Sequence, residues 1–158
     1  MAKPAFADNL LACYPALLAR LQGVPGVKAV LEATELTALY RERRQLPLDG
    51  AVYVVLDGFT PQADNNRGRE QLIELSFSII LVKRHFTPKP QTDGVGETLT
   101  AICKALQGFD PQNAQGQALL SAPFVQANAI PIRYEDGFAF FPLRFTAEVA
   151  VIADEGNN

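Results

Sequence analysis

The sequence predicts an α/β (α+β) fold in which a mixed, largely antiparallel sheet with a long C-terminal β-hairpin is flanked by two to three helices. Three observations lead to this prediction. Apolar residues alternate with a period of two over residues 69–84, which indicates one long strand. They recur at helical spacing over residues 6–22 and again over residues 97–107. The dipeptide Asp136-Gly137 separates two further extended segments and is a strong signal for a hairpin turn.

Composition indicates a soluble globular protein. The 158 residues are expected to form one domain over residues 1–153, followed by a frayed tail at residues 154–158. The net charge of −3 argues against broad nucleic-acid binding, which needs a basic face. No apolar run approaches the ~18 residues of a membrane span, and the N-terminus lacks the apolar core of a signal peptide. Two cysteines do not make a disulfide framework, so the cytoplasm is the expected compartment.

The first third of the chain is expected to alternate helices with a short strand. The leucine-rich helix over residues 6–22 contains Pro15, which either kinks the helix or marks a new first turn. A strand over residues 27–31 follows the glycines and the proline that end this helix. A second helix, capped by Thr34, is predicted to extend to residue 44.

The middle of the chain is expected to hold two strands joined by a polar loop. Residues 51–56 form a continuous apolar run, which predicts a buried central strand that ends at Asp57-Gly58. A polar loop over residues 60–68 then leads into the long strand over residues 69–84. One face of that strand is mixed, and the other is an inward row. This row comprises Ile73, Leu75, Phe77, Ile79 and Leu81.

The length of this strand carries an expectation of its own. At ~3.4 Å per residue the strand reaches ~50 Å, whereas the radius of gyration expected for such a chain is only ~15 Å. The strand must therefore bend, bulge or overhang the domain. An overhanging edge is a liability in a monomer but provides a contact in an oligomer.

The C-terminal third is predicted to be a helix followed by a hairpin. The helix over residues 97–107 stops at Gly108, and residues 124–134 then pair with residues 138–152. Pro142 cannot donate to a ladder, so it is expected to face outward or to sit on an edge. The inward row of the last strand is predicted to comprise Phe141, Leu143, Phe145, Ala147, Val149 and Val151.

The sequence contains no pattern of a catalytic, cofactor or metal site. His85 is the only histidine, and no signature supplies the nucleophile and orienting partner of a general base, so we interpret it as a surface or structural residue. Cys13 and Cys103 fall on apolar helix faces. With His85 they would give three scattered ligands, fewer than a structural zinc needs. Gly94-Val95-Gly96 opens a helix but lacks the other residues of a phosphate loop. Paired catalytic carboxylates stay open as an alternative.

Two basic clusters remain, and each has two interpretations. Arg41, Arg43 and Arg44 form either the solvated end of a helix, where cations suit the helix dipole, or a subunit contact. Arg67 and Arg69 lie where the predicted polar loop joins the long strand. That loop is either solvated or faces a ring lumen or a neighbouring protein. The candidate interface residues are therefore Asp64, Asn65, Asn66, Arg67, Arg69, Arg41, Arg43 and Arg44.

Several stretches together carry a resemblance to a known family. They are Val54-Val55-Leu56-Asp57-Gly58 before the polar loop, the long strand at residues 72–82, the helix at residues 99–106 closed by Gly108-Phe109-Asp110-Pro111, and the hairpin Tyr134-Glu135-Asp136-Gly137-Phe138 leading to Leu143-Arg144-Phe145. In these stretches and in the order of its elements, the chain resembles the tail-terminator (tail-completion) proteins of Mu-like contractile and related long-tailed phages.

The resemblance implies a specific function and no cofactor. Such proteins have an α/β fold and form a homohexameric ring on the completed tail tube. The ring stops tube growth and provides the surface that joins the head. The implied partners are further copies of the chain, the tail tube protein, possibly the sheath, and a head-tail connector protein. DNA passes through the lumen without sequence-specific binding.

The same resemblance implies a location, and it leaves two other classes open. The protein is expected at the head-proximal end of the virion tail, and in the host cytoplasm during assembly. The family has no catalytic residues that could be carried over to this sequence, so an enzyme is not expected. The first alternative is another phage tube or head-tail connector subunit with the same building plan. The second is a small ligand-binding or enzymatic domain.

Overall fold

A computed structural model describes residues 4–33, 47–84 and 94–154. In these residues, six strands and two α-helices follow a 3-10 turn at Ala5–Ala7, and the fold prediction is confirmed. The elements are α1 (Tyr14–Gln22), β1 (Ala29–Ala33), β2 (Ala51–Asn65), β3 (Glu70–Arg84), α2 (Val95–Leu106), β4 (Ala122–Ala127), β5 (Arg133–Glu135) and β6 (Phe138–Ile152).

One mixed sheet organises these elements. The strand order is β1-β2-β3-β6-β4, and β5 pairs with β6 beyond the end of β4. The pairing of β1 with β2 is parallel, and the other pairings are antiparallel. The three central strands are 15 residues each, so they extend beyond the shorter strands on both sides. The predicted sheet, mixed and largely antiparallel with a C-terminal hairpin, is therefore confirmed.

The main core lies between the two helices and one face of this sheet. The alternation in β3 places Leu75, Phe77, Ile79 and Leu81 in this core, with Ile73 half-buried at its margin, as the predicted inward row requires. The Phe77 ring stacks on Tyr14 at a centroid distance of 5.9 Å. The helices contribute leucine and isoleucine side chains from the stripes that their periodicity predicts.

The second face of the sheet is divided into an apolar part and a polar part. A small cluster of buried side chains covers the end near the β5–β6 turn. Towards the other end, this face carries Ser78, Ser76 and Glu74 on β3. The predicted mixed character of the outer face of β3 is therefore confirmed. The cluster comprises Val55, Ile80, Val82, Phe138 and Phe140.

The N-terminal predictions are corrected in their boundaries. The α-helix begins at Tyr14, after a 3-10 turn and further turns, so the predicted helix from residue 6 is too long. Pro15 lies in the first turn of α1, where its missing N–H leaves no intrahelical hydrogen bond unmade. The strand predicted at residues 27–31 is shifted by two positions. The helix predicted from Thr34 to residue 44 lies outside the described residues.

The predicted end of the second strand and the polar loop after it are wrong. β2 does not stop at Asp57-Gly58, because an irregularity between Leu56 and Gly58 absorbs the break and pairing with β3 resumes. Residues 60–65 are therefore strand, and the connection is a turn over residues 66–69. Their polar side chains reflect exposure of this part of the strand to solvent, not a loop.

The C-terminal hairpin is confirmed, with two corrections. Asp136 and Gly137 both have positive φ (53° and 81°), as a tight type I′ turn needs. Residues 128–132 interrupt the partner strand, which divides into β4 and β5. Pro142 is buried, so it does not face solvent, but the predicted edge position holds locally, because neither β4 nor β5 pairs with β6 at this residue. It lies between the residues that pair with β5 and with β4, where its missing N–H costs no described ladder bond.

The predicted inward row of β6 is confirmed except at its C-terminal end. Phe141, Phe145, Ala147 and Val149 lie in the core as predicted, but Val151 is exposed. Of the predicted frayed tail, only Asp154 belongs to the described residues.

Candidate assembly surface: a three-stranded arm

The central strands continue past their neighbours to form an arm, which we define as residues 58–76 and 146–152. β1 pairs with β2 only as far as Val55, and β4 pairs with β6 only between Arg144 and Glu148. Beyond these points, β3 still pairs with both β2 and β6, up to Asn65 and Ile152. Among the described residues, the outer edge of β2 from Gly58 to Asn65 and the outer edge of β6 beyond Glu148 therefore have no strand partner.

The core-side face of the arm becomes steadily more exposed towards β2. Leu75 on β3 and Val149 on β6 are buried, whereas Phe59 on β2 is 47% exposed. On the opposite outer edge, Val151 is 38% and Ile152 is 66% exposed. Large apolar side chains are thus available at both edges, which is unusual for a strand edge that stays in water.

A polar cluster fixes the base of the arm. The Asp57 Oδ2 atom accepts hydrogen bonds from Ser78 Oγ at 2.6 Å and from Arg144 Nε at 3.3 Å. Arg144 also donates to the Asn128 carbonyl oxygen at 3.2 Å. Because Asp57, Ser78 and Arg144 lie on β2, β3 and β6, these bonds join the three strands where the ladder is irregular.

The turn at the tip of the arm is closed by its own side chains. Asn66, Arg67 and Gly68 all have positive φ, and at Arg67 (58°) this conformation is strained. The Asn66 amide donates to Glu70 Oε2 at 3.1 Å across the turn. Arg67 makes no hydrogen bond or ion pair with the described residues, so its guanidinium is available to a partner.

Arg69 has a structural role that the sequence does not reveal. Its guanidinium donates to the Asp154 carbonyl oxygen at 2.8 Å, and its own carbonyl accepts the Ala153 N–H at 2.7 Å. These bonds hold the chain after β6 against the turn. The end of β6 is therefore fixed on the β3 side while its outer side stays open.

The structure brings five of the eight candidate residues together at the tip. Asp64 and Asn65 lie on β2, opposite Gln71 and Glu70, and Asn66, Arg67 and Arg69 lie in the turn. The other three candidates, Arg41, Arg43 and Arg44, lie outside the described residues, as does His85.

Sequence reasoning missed two surface features that depend on strand register. Glu74 and Glu148 face each other directly across β3 and β6, and neither carboxylate has an ion-pair partner among the described residues. Phe59 and Val151 share one face on opposite edges of the arm, but they belong to segments separated by most of the chain. The only sequence signal for either feature was the unusual length of the long strand.

The described residues offer little to a chemical reaction. Burial raises the pKa of the Cys13 thiol to about 11 and also raises the pKa of Cys103, so both stay protonated at neutral pH. Burial and the neighbouring Glu32 carboxylate raise the pKa of Tyr14. No group of three or more metal-ligating side chains occurs in residues 4–33, 47–84 and 94–154.

Two open clefts lie away from the arm tip. One, of about 390 Å³, is lined by apolar side chains together with Tyr14 and Glu32, and the other, of about 320 Å³, lies between α1 and α2. In the first cleft the Tyr14 hydroxyl donates a hydrogen bond to the Glu32 carboxylate, and the raised pKa of Tyr14 keeps that hydroxyl protonated at neutral pH. Within the described part of the chain, no helix has the length and apolar character to cross a membrane.

These features are those of an α+β domain that belongs to the class of assembly proteins, because its distinctive surface is a set of sheet edges. The sequence model of the phage tail terminator protein family matches residues 7–155, nearly the whole chain. The chain belongs to this family, so it is a bacteriophage tail protein with a structural role in tail completion, and that role implies interaction with tail and head proteins. No curated protein matches the chain by direct sequence comparison.

Proposed function

We propose that the chain forms a closed ring, homohexameric as the resemblance implies, on the completed tail tube. The ring ends polymerisation of the tube and provides the surface that joins the head. Family membership supports tail completion, and the observation that carries the ring is the arm with its two open edges. The protein would then occupy the head-proximal end of the virion tail, after assembly in the host cytoplasm.

Edges of this kind favour a closed assembly. A contact between two different surfaces of identical subunits generates a ring if the rotation closes and a filament if it does not. A ring satisfies every edge, whereas a filament would leave one exposed for further growth. A subunit that must stop a polymer therefore gains from closure, and a free monomer would keep two edges that invite aggregation.

The tip of the arm is the part that we assign to a neighbouring protein or to the lumen. Asp64, Asn65, Asn66, Arg67 and Arg69 converge there, and Arg67 supplies a cation without a described partner. The tail tube protein, possibly the sheath, and a head-tail connector protein are the partners that we propose. DNA would pass through the lumen without sequence-specific contacts.

Two elements of the proposal concern the rest of the chain. Arg41, Arg43 and Arg44 are proposed as a further subunit contact. We also propose that the protein has no catalytic activity, in keeping with a structural family and with the protonated, buried thiol of Cys13.

Particle mass and shape test this proposal. Light scattering after size exclusion, with negative-stain images, is expected to give a single ring of about six subunits with a central hole. A monomer at ~100 μM would contradict the ring, and open stacks of rings would favour a tube subunit. Adding the purified ring to growing tubes of the partner tube protein should fix their length, and continued growth would contradict the capping role.

A further inference from the structure

We propose that the tip of the arm docks in a cleft of the next copy, where the Arg67 guanidinium meets the Glu32 carboxylate. This inference rests on the proposed ring, and it assigns the tip to one neighbour, a second copy of the chain. The cleft is the one of about 390 Å³ that is lined by Leu11, Tyr14, Glu32, Ala33 and Leu56.

The cleft presents a carboxylate without a cation. Glu32 is exposed near the end of β1 and has no ion-pair partner among the described residues. The neutral hydroxyl of Tyr14 donates to its carboxylate, which holds the group in place and leaves further acceptor positions open. The apolar walls formed by Leu11 and Leu56 suit the methylene stem of an arginine whose charged head reaches the carboxylate.

The tip presents a cation without a carboxylate. Arg67 lies in the turn and makes no hydrogen bond or ion pair with the described residues. Its positive φ of 58° and the hydrogen bond from Asn66 to Glu70 fix the turn that carries it. A turn that is already ordered loses little conformational entropy when it docks, so the cation is well placed for a partner.

The two charged groups of one copy are too far apart to meet. Ala33 pairs with Val55, which lies level with Arg144 on β6, whereas the tip begins level with Ile152. The eight residues from Arg144 to Ile152 span ~27 Å of extended strand, well beyond the reach of one arginine side chain. The pair therefore joins two copies. Because tip and cleft are different surfaces, the contact is heterologous, which is the kind that can close a ring.

The strand order leaves room for the incoming tip. β1 pairs with β2 only as far as Val55, so no described strand lies beside β2 beyond the cleft. On the incoming copy, β4 pairs with β6 only up to Glu148, so no further described strand flanks the tip. The tip enters on the core-side face through side-chain contacts, and no strand is added to the sheet of either copy.

Exposed apolar side chains flank both charged groups. On the core-side face, Phe59 is the next side chain of β2 after Leu56, so it borders the cleft, and it is 47% exposed. Ile152 lies beside the tip, opposite Glu70, and is 66% exposed. Docking buries both side chains next to the ion pair, so the two surfaces match in apolar character as well as in charge.

Charge reversal tests this contact. Arg67→Glu places two carboxylates in every junction, and Glu32→Arg places two guanidinium groups there. Each variant alone should therefore raise the concentration at which rings dissociate by at least about tenfold. In an equal mixture of the two variants, chains that alternate around a ring of six again join opposite charges at every junction. Mass photometry should show rings of the mixture at the concentration at which the wild type forms them.

The mixture separates a contact between copies from other effects of the substitutions. Recovery shows that both variants fold, and mixing would not repair a pair within one chain. A matched control is Lys104→Glu, which reverses an exposed cation on α2 and should leave ring dissociation unchanged.

Two results would overturn the tip contact and leave the ring intact. One is that both single variants form rings that dissociate at the wild-type concentration. The other is a loss of rings in both variants that mixing does not repair, while the wild type forms them. A wild-type chain that stays monomeric would overturn the proposed ring as well.

Discussion

The contribution of Phe59 to assembly can be estimated from its exposure. Full burial of a phenylalanine side chain contributes about 1.5–3 kcal/mol. Phe59 is 47% exposed, so roughly half of this, ~1 kcal/mol, already stabilises the monomer, and a similar amount is available to a neighbour. Phe59→Ser should therefore destabilise the fold by ~1 kcal/mol and each subunit junction by ~1 kcal/mol, about fivefold in equilibrium constant.

Because a closed ring contains one junction per subunit, the destabilisation of each junction by Phe59→Ser adds up over the whole ring. Six identical junctions give ~6 kcal/mol for the whole ring, or about 10⁴ in its assembly constant. Urea unfolding in dilute solution measures the first effect, and mass photometry across a dilution series measures the second. We expect a modest shift in the unfolding midpoint and a large rise in the concentration at which rings dissociate.

A matched variant separates the junction from a general loss of apolar surface. Ile132 is 51% exposed and lies outside the arm, so Ile132→Ser should destabilise the fold similarly and leave ring dissociation unchanged. Equal dissociation of the two variants would refute the reasoning. So would a Phe59→Ser ring that dissociates at the wild-type concentration.

Three further predictions concern the monomer. Arg144→Met should destabilise the fold by about 1.5–3 kcal/mol, because Asp57 loses a charged hydrogen-bond partner; urea unfolding with Asp57→Asn in a double-mutant cycle should show the two changes to be non-additive. The raised pKa of Cys13 implies that stability is full below pH 9 and falls as the pH rises from about 9 to 11, because the unfolded thiol loses its proton first; Cys13→Ala should remove this part of the pH dependence of unfolding. Glu148→Gln should raise stability by ~0.5 kcal/mol in low salt, because it removes repulsion from Glu74, and unfolding in 1 M salt should show a smaller gain.

The sequence predicted β3 well because one of its faces packs on the core. The alternation of Leu75, Phe77 and Ile79 follows from the packing of this face on the main core, and a slip by one residue would move all three to the opposite face of the sheet. The outer part of β2 was missed for the opposite reason. Both faces of residues 59–65 are exposed, so polar residues there show no alternation, and only pairing with β3 makes the segment a strand.

The sequence predicted the residues of the tip but not the hairpin that presents them. Polarity and charge indicated residues 64–69, but a hairpin tip and a loop have the same composition, so the arm itself was not predicted. Arg69 illustrates what remains hidden: its hydrogen bond to the Asp154 carbonyl joins residues 85 positions apart. Pro142 shows the same limit, because its tolerated position depends on the break between β4 and β5.

Amide hydrogen exchange compared between dilute monomer and concentrated protein tests most directly whether the arm joins the copies. If it does, assembly should slow exchange at residues 58–65 and 149–152, where a neighbouring copy covers the open edges. Unchanged exchange at both edges in an intact ring would contradict the account.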